Sequence, residues 1–179
     1  MKKLVIALMF AAPLCAQEAL DFYVEQAKPV AEHQRLAELA GTWKVTTKLW
    51  FDPAGAPKVA TGRGSGKLIL GGRFLSLETN LKGELPQDSL TIFGFDRRTS
   101  EFTLVGYDNL GTYYITAAGK HDDAQKNIVL DGSYAQPPSG QEQKYRFVWT
   151  RPAANEHLLT LYFLMNGKEE RVAETRMTR

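Results

Sequence analysis

From Gly41 onward the chain alternates. Between Gly41 and Phe51, Trp43, Val45, Thr47, Leu49 and Phe51 share one parity, with Lys44, Thr46, Lys48 and Trp50 on the other. Side chains on a strand point to opposite faces in turn, so this is the pattern of a half-buried strand. Comparable segments follow at 59–70, 73–81, 89–96, 101–108, 112–119, 127–134, 144–151, 157–166 and 171–179. Turn-forming residues separate them, among them Asp52-Pro53-Ala54-Gly55-Ala56-Pro57, Gly71-Gly72, His121-Asp122-Asp123 and Gln136-Pro137-Pro138-Ser139-Gly140. Asn166-Gly167 is the strongest hairpin signal, because both residues tolerate the positive φ of a two-residue turn. About ten short strands with regular turns read as an all-β barrel or sandwich. No crossover helix separates them, so the sheet is expected to be antiparallel, and closure into a barrel would remove its edges.

Only the segment before Gly41 reads as helix. Leu20, Tyr23, Val24 and Ala27 recur at helical spacing until Pro29 interrupts. After it, 32–40 reads as a short amphipathic helix with Leu36, Leu39 and Ala40 on one side and Gly41 placed to end it. That helix is expected to plug one end of the barrel. The earliest residues have a different character. Lys2-Lys3, the apolar run from Leu4 to Ala12 and the small Ala16 read as a secretory leader cleaved after Ala16. Such a run is too short for a spanning helix, which needs roughly 20 apolar residues. The expected division is therefore 1–16 leader, 17–40 helical segment and 41–179 barrel. Cys15 has Leu14 before it, where lipid attachment wants a small residue, so a lipid anchor is the weaker alternative.

Removing the leader changes the charge picture. The chain has 22 Lys and Arg against 20 Asp and Glu, and without Lys2 and Lys3 the balance is 20 against 20. Near neutrality there is no global field to attract a polyanion, which argues against nucleic acid. The single cysteine leaves with the leader, and disulfides, thiol nucleophiles and thiolate metal sites leave with it.

The motifs that suggest chemistry are weak. Gly62-Arg63-Gly64-Ser65-Gly66-Lys67 has Thr61 where a phosphate loop needs its first glycine, and strand-like Leu68-Ile69-Leu70 where the helix should follow. Glycines that let a barrel strand bend are the better account. Ser65 and Ser139 lack the glycines of a nucleophile elbow. His33, His121 and His157 are scattered, which favours packing, capping and loop roles over metal or axial haem ligation.

Two groups of residues carry a family likeness. One is His33 and Leu36 leading into Leu39-Ala40-Gly41-Thr42-Trp43; the other runs from Gly94-Phe95-Asp96 through Tyr107-Asp108 and Gly111-Thr112 to the closing Asn166-Gly167-Lys168-Glu169 and Thr175-Arg176-Met177-Thr178-Arg179. From about His33 to the end the chain resembles the bacterial domain of unknown function 1579 family, whose members look like lipocalin-type (calycin) barrels. Tyr107 stands where that family often has tryptophan. The family has no agreed activity, so the resemblance implies a fold rather than a function. Gly41-Thr42-Trp43 is also similar to the opening of fatty-acid-binding proteins and haem-binding nitrobindins, but the further glycines of the nitrobindin motif are missing.

Aromatic residues on nearly every strand allow two readings: they fill the barrel, or they wall a cavity with a few polar anchors. Strand register nominates Trp43, Arg73, Glu78, Tyr107, Asp108, Tyr113, Tyr162 and Arg176 as ligand-binding residues, with Arg176 and Glu78 alternatively a structural ion pair. The expectation is a periplasmic or secreted, non-enzymatic barrel, monomeric or homodimeric, holding a small, largely apolar molecule. It carries no cofactor, no metal and no membrane span. Two alternatives stand beside it. One is a barrel isomerase, lyase or hydrolase using cavity Tyr, Asp or Glu; the other is a filled barrel that docks a partner.

Overall fold

The computed structural model describes residues 12–179, with side chains described from Gln17 onward. The expected leader lies outside the described residues except for its last five positions, of which only a helical backbone is described. Two helices come first, α1 (Ala12–Gln26) and α2 (Ala31–Ala37). Ten strands follow: β1 (Gly41–Leu49), β2 (Lys58–Ile69), β3 (Phe74–Gly83), β4 (Gln87–Asp96), β5 (Glu101–Asp108), β6 (Tyr114–Asp122), β7 (Asn127–Gln136), β8 (Gln141–Ala153), β9 (Glu156–Met165) and β10 (Lys168–Thr178). Each pairs with its sequence neighbour, and β1 pairs antiparallel with β10, so the sheet is a closed all-β barrel. Consecutive hairpins need only short turns, and closure leaves no free edge. At the β9–β10 turn Asn166 (φ 52°) and Gly167 (φ 74°) both occupy the left-handed region, as a tight hairpin of this twist requires.

The expected helix at 32–40 is shorter than its apolar spacing suggested. α2 stops at Ala37, and the backbone tightens to three-residue bonds from Leu39 N–H to Leu36 O and from Ala40 N–H to Ala37 O. This tighter turn swings Leu39 inward, so Leu36 and Leu39 are both completely buried. The N-terminus lacks a Ser, Thr or Asp cap. Instead the Val30 N–H donates to His33 Nδ1 at 3.0 Å, which makes His33 the capping residue.

α2 lies across the end of the barrel where β1 begins, against β2, β3 and β4. Several polar ties hold it there. Trp43 Nε1–H donates to the Leu39 carbonyl at 2.8 Å, Arg179 donates to the Ala40 carbonyl, and Arg151 pairs with Glu38 at 2.8 Å. Gly66 permits the close approach, because a Cβ there would sit 2.0 Å from the Leu39 oxygen. Beneath α2 the interior is filled by Trp43, Leu75, Phe93, Leu104, Leu130 and Met177. Such tight filling is what close-packed protein interiors show.

Candidate functional site

Opposite α2, the barrel opens. Four of the five turns at this far end, β1–β2, β3–β4, β5–β6 and β9–β10, meet around a cavity of about 630 Å³. Leu49, Leu161, Phe163 and Ala173 form the floor, since they fall on the inward parity of β1, β9 and β10. Trp50, Phe51, Leu110 and Tyr113 form the rim, where Phe51 is 77% and Tyr113 69% exposed. Lining one opening together, they form a contiguous apolar rim of the kind that marks a binding site. Level with the floor and beyond it, inward polar groups satisfy one another. Thr47 and Thr175 share a hydrogen bond of 2.9 Å, Thr79 and Ser89 one of 2.7 Å, and Tyr145 donates its hydroxyl to the Thr116 carbonyl at 2.7 Å.

Glu170 brings charge to this rim, and a β-bulge puts it there. The β9–β10 register shifts between Arg171 and Ala173, so one extra residue, Val172, enters β10. Ala173 stands opposite inward Leu161, and beyond the bulge Glu170 stands opposite inward Phe163. Unbroken alternation from Ala173 would have turned Arg171 inward instead. Arg171 points out, its guanidinium 4.1 Å above the Trp50 ring and 3.3 Å from a Glu174 oxygen.

The eight residues nominated from the sequence do not gather at this mouth. Tyr113 lines it. The expected strand at 112–119 begins only at Tyr114, because the Asp108 carboxylate accepts the Leu110 N–H at 2.9 Å and holds the preceding residues in a turn. Trp43 is inward but sits in the packed core under α2, with the Arg179 guanidinium 3.9 Å above its ring. Glu78, Tyr107 and Asp108 come together in a shallow groove across the outside of β2–β5, beside Arg63, Asn80 and Asp88. Glu78 lies between inward Leu77 and Thr79, and Tyr107 follows inward Gly106, so alternation sends both outward. Arg73 is in the β2–β3 turn, donating to the carbonyls of Ala27 and Leu70 at 2.6 and 3.0 Å. Tyr162 lies on the outer face between Arg146 and Arg171. Arg176 pairs on the outer face with Glu156, not with Glu78.

Sequence reasoning also passed over a buried polar cluster beneath α2. Trp149 Nε1–H donates to His157 Nδ1 at 3.1 Å, and the His157 ring meets Trp43 edge-on with centroids 5.1 Å apart. His157 Nε2 and Asn127 Oδ1 are buried without a hydrogen-bond partner. Burial, helped by nearby Arg151, lowers the His157 pKa from 6.5 to about 4. A cavity of only about 50 Å³ adjoins the cluster, too small for an organic ligand. Among the described residues no group of three His, Cys, Asp or Glu side chains is placed to hold a metal ion. None of their helices is long and apolar enough to cross a membrane.

No curated protein matches the chain. Residues 28–179, from just before α2 through the last strand, match the family model described as protein of unknown function (DUF1579). The barrel with its helical cover therefore belongs to the DUF1579 family.

Proposed function

We propose that this protein is an exported, lipocalin-like binding protein that holds a small, largely apolar molecule in the open mouth of its barrel. The observation that carries this reading is the cavity of about 630 Å³ walled by Leu49, Trp50, Leu161, Phe163 and Met165. Small-molecule sites are concave and mostly apolar, roughly 300–1,000 Å³ in volume, with few polar groups. The outer groove around Glu78 and Tyr107 is larger, about 750 Å³, but it is open and lined by charged residues. An apolar ligand there would leave most of its surface in water. Export rests on the leader pattern of residues 1–16.

The test is titration with neutral N-phenyl-1-naphthylamine, whose emission rises in apolar surroundings. Saturable one-to-one binding is expected, lost in Ala173→Trp, which places an indole across the floor. Absence of saturable binding to the wild-type protein would dismiss the ligand-site reading and favour the mouth as a docking surface for another protein.

A further inference from the structure

We propose that the ligand of the barrel mouth is a cationic amphiphile, an amine or quaternary ammonium with an apolar body, whose head is seated against Glu170. This rests on the reading of the mouth as a ligand site and adds the chemical class. Glu170 is the one charged side chain among the lining residues, which include no Lys, Arg or His. It enters none of the ion pairs made by its neighbours on β10, where Arg171 is matched with Glu174, Arg176 with Glu156, and Glu169 with Arg146. Its carboxylate is therefore the uncompensated charge of an otherwise apolar rim.

The bulge at Val172 gives that arrangement its selectivity. It turns the carboxylate inward and leaves the adjacent guanidinium out of the lining, over the Trp50 ring. The three possible head groups then differ physically. An anionic head would place like charge beside half-buried Glu170, where water and salt screen the repulsion only in part. A neutral head would desolvate the carboxylate and return at most a hydrogen bond, with no opposite charge. A cationic head pairs with it. Phe51, Tyr113 and Phe163 line the same opening, and a cation is attracted to an aromatic ring face, most strongly when water is excluded.

The experiment displaces N-phenyl-1-naphthylamine from the full chain with decyltrimethylammonium, decanoate and decanol, which share a ten-carbon tail. Decyltrimethylammonium should displace the probe at a concentration about tenfold below that of decanoate, a difference of about 1.4 kcal/mol. In Glu170→Gln that ratio should collapse towards one, and high salt should narrow it in the wild type. Equal or preferred binding of decanoate by the wild-type protein, with the neutral probe bound, overturns the cationic assignment and leaves the mouth site standing. A wild-type ratio that persists unchanged in Glu170→Gln overturns the role of Glu170. Failure of both the probe and decanol to bind the wild type overturns the mouth site itself.

Discussion

Trp149 donates its indole N–H to Nδ1 of His157 over 3.1 Å, and this one bond sets the tautomer of a completely buried imidazole. An indole N–H can only donate, so Nδ1 must be the bare acceptor and the ring proton must sit on Nε2. A second proton has no place on Nδ1 unless the bond to Trp149 breaks.

Stability should consequently depend on pH through His157. Its folded pKa is about 4 against an ordinary 6.5, so between these values the unfolded chain binds the extra proton and the folded one does not. The stabilisation is complete above pH 6.5, declines as pH falls through this window, and is level below pH 4. It amounts to about 3 kcal/mol at most. Urea unfolding at neutral and acid pH, compared with His157→Gln, measures it. An equally steep decline in the variant would assign the pH dependence to other groups.

The cover formed by α2 should be a structural part of the barrel. Leu36 and Leu39 are fully buried, so truncating either to alanine should cost about 2–5 kcal/mol in chemical unfolding. Losses below about 0.5 kcal/mol for both would mean that the cover is loosely attached.

Gly66→Ala should unseat the same cover from the other side. The new Cβ would fall 2.0 Å from the Leu39 carbonyl, which accepts the Trp43 indole N–H. Overpacking of this kind costs about 1–3 kcal/mol. Hydrogen exchange at the Trp43 indole, followed by NMR, should quicken in the variant; unchanged protection with unchanged stability would count against the tight seat.

Cleavage of the leader should leave a chain that starts at Gln17 and contains no cysteine. Intact mass of protein recovered from the cells that export it checks this. A diacylglycerol on Cys15 would place the protein on a membrane instead.

Much of the barrel is legible before any coordinates. Period-two alternation from Trp43 to Leu49 and through nine later segments marks the strands, because one face of each must be buried and the other wetted. The first pattern runs on to Phe51, which the structure places in an exposed turn. Asn166-Gly167 marks its hairpin through local backbone sterics, and Leu36 and Leu39 mark the covering face by their spacing. These are properties of neighbours in the chain. The mouth is different. The Asn166-Gly167 turn sets Glu170 opposite Phe163, but whether Glu170 or Arg171 enters the mouth depends on one extra residue at Val172, a bulge that no local pattern reveals. The same holds for Tyr107 and Tyr162, which share the aromatic character of the core but face outward on their strands. The β8–β9 hairpin sets Trp149 and Arg151 beside His157, but only the packing of Trp43 and the cover above them buries that imidazole. The sequence by itself determined which segments become strands and which leucines cover the barrel, since backbone sterics and hydrophobic burial act along the chain. Tertiary structure alone decided which side chains meet at the mouth and which imidazole is kept neutral, since long-range register and desolvation act only between strands already brought together.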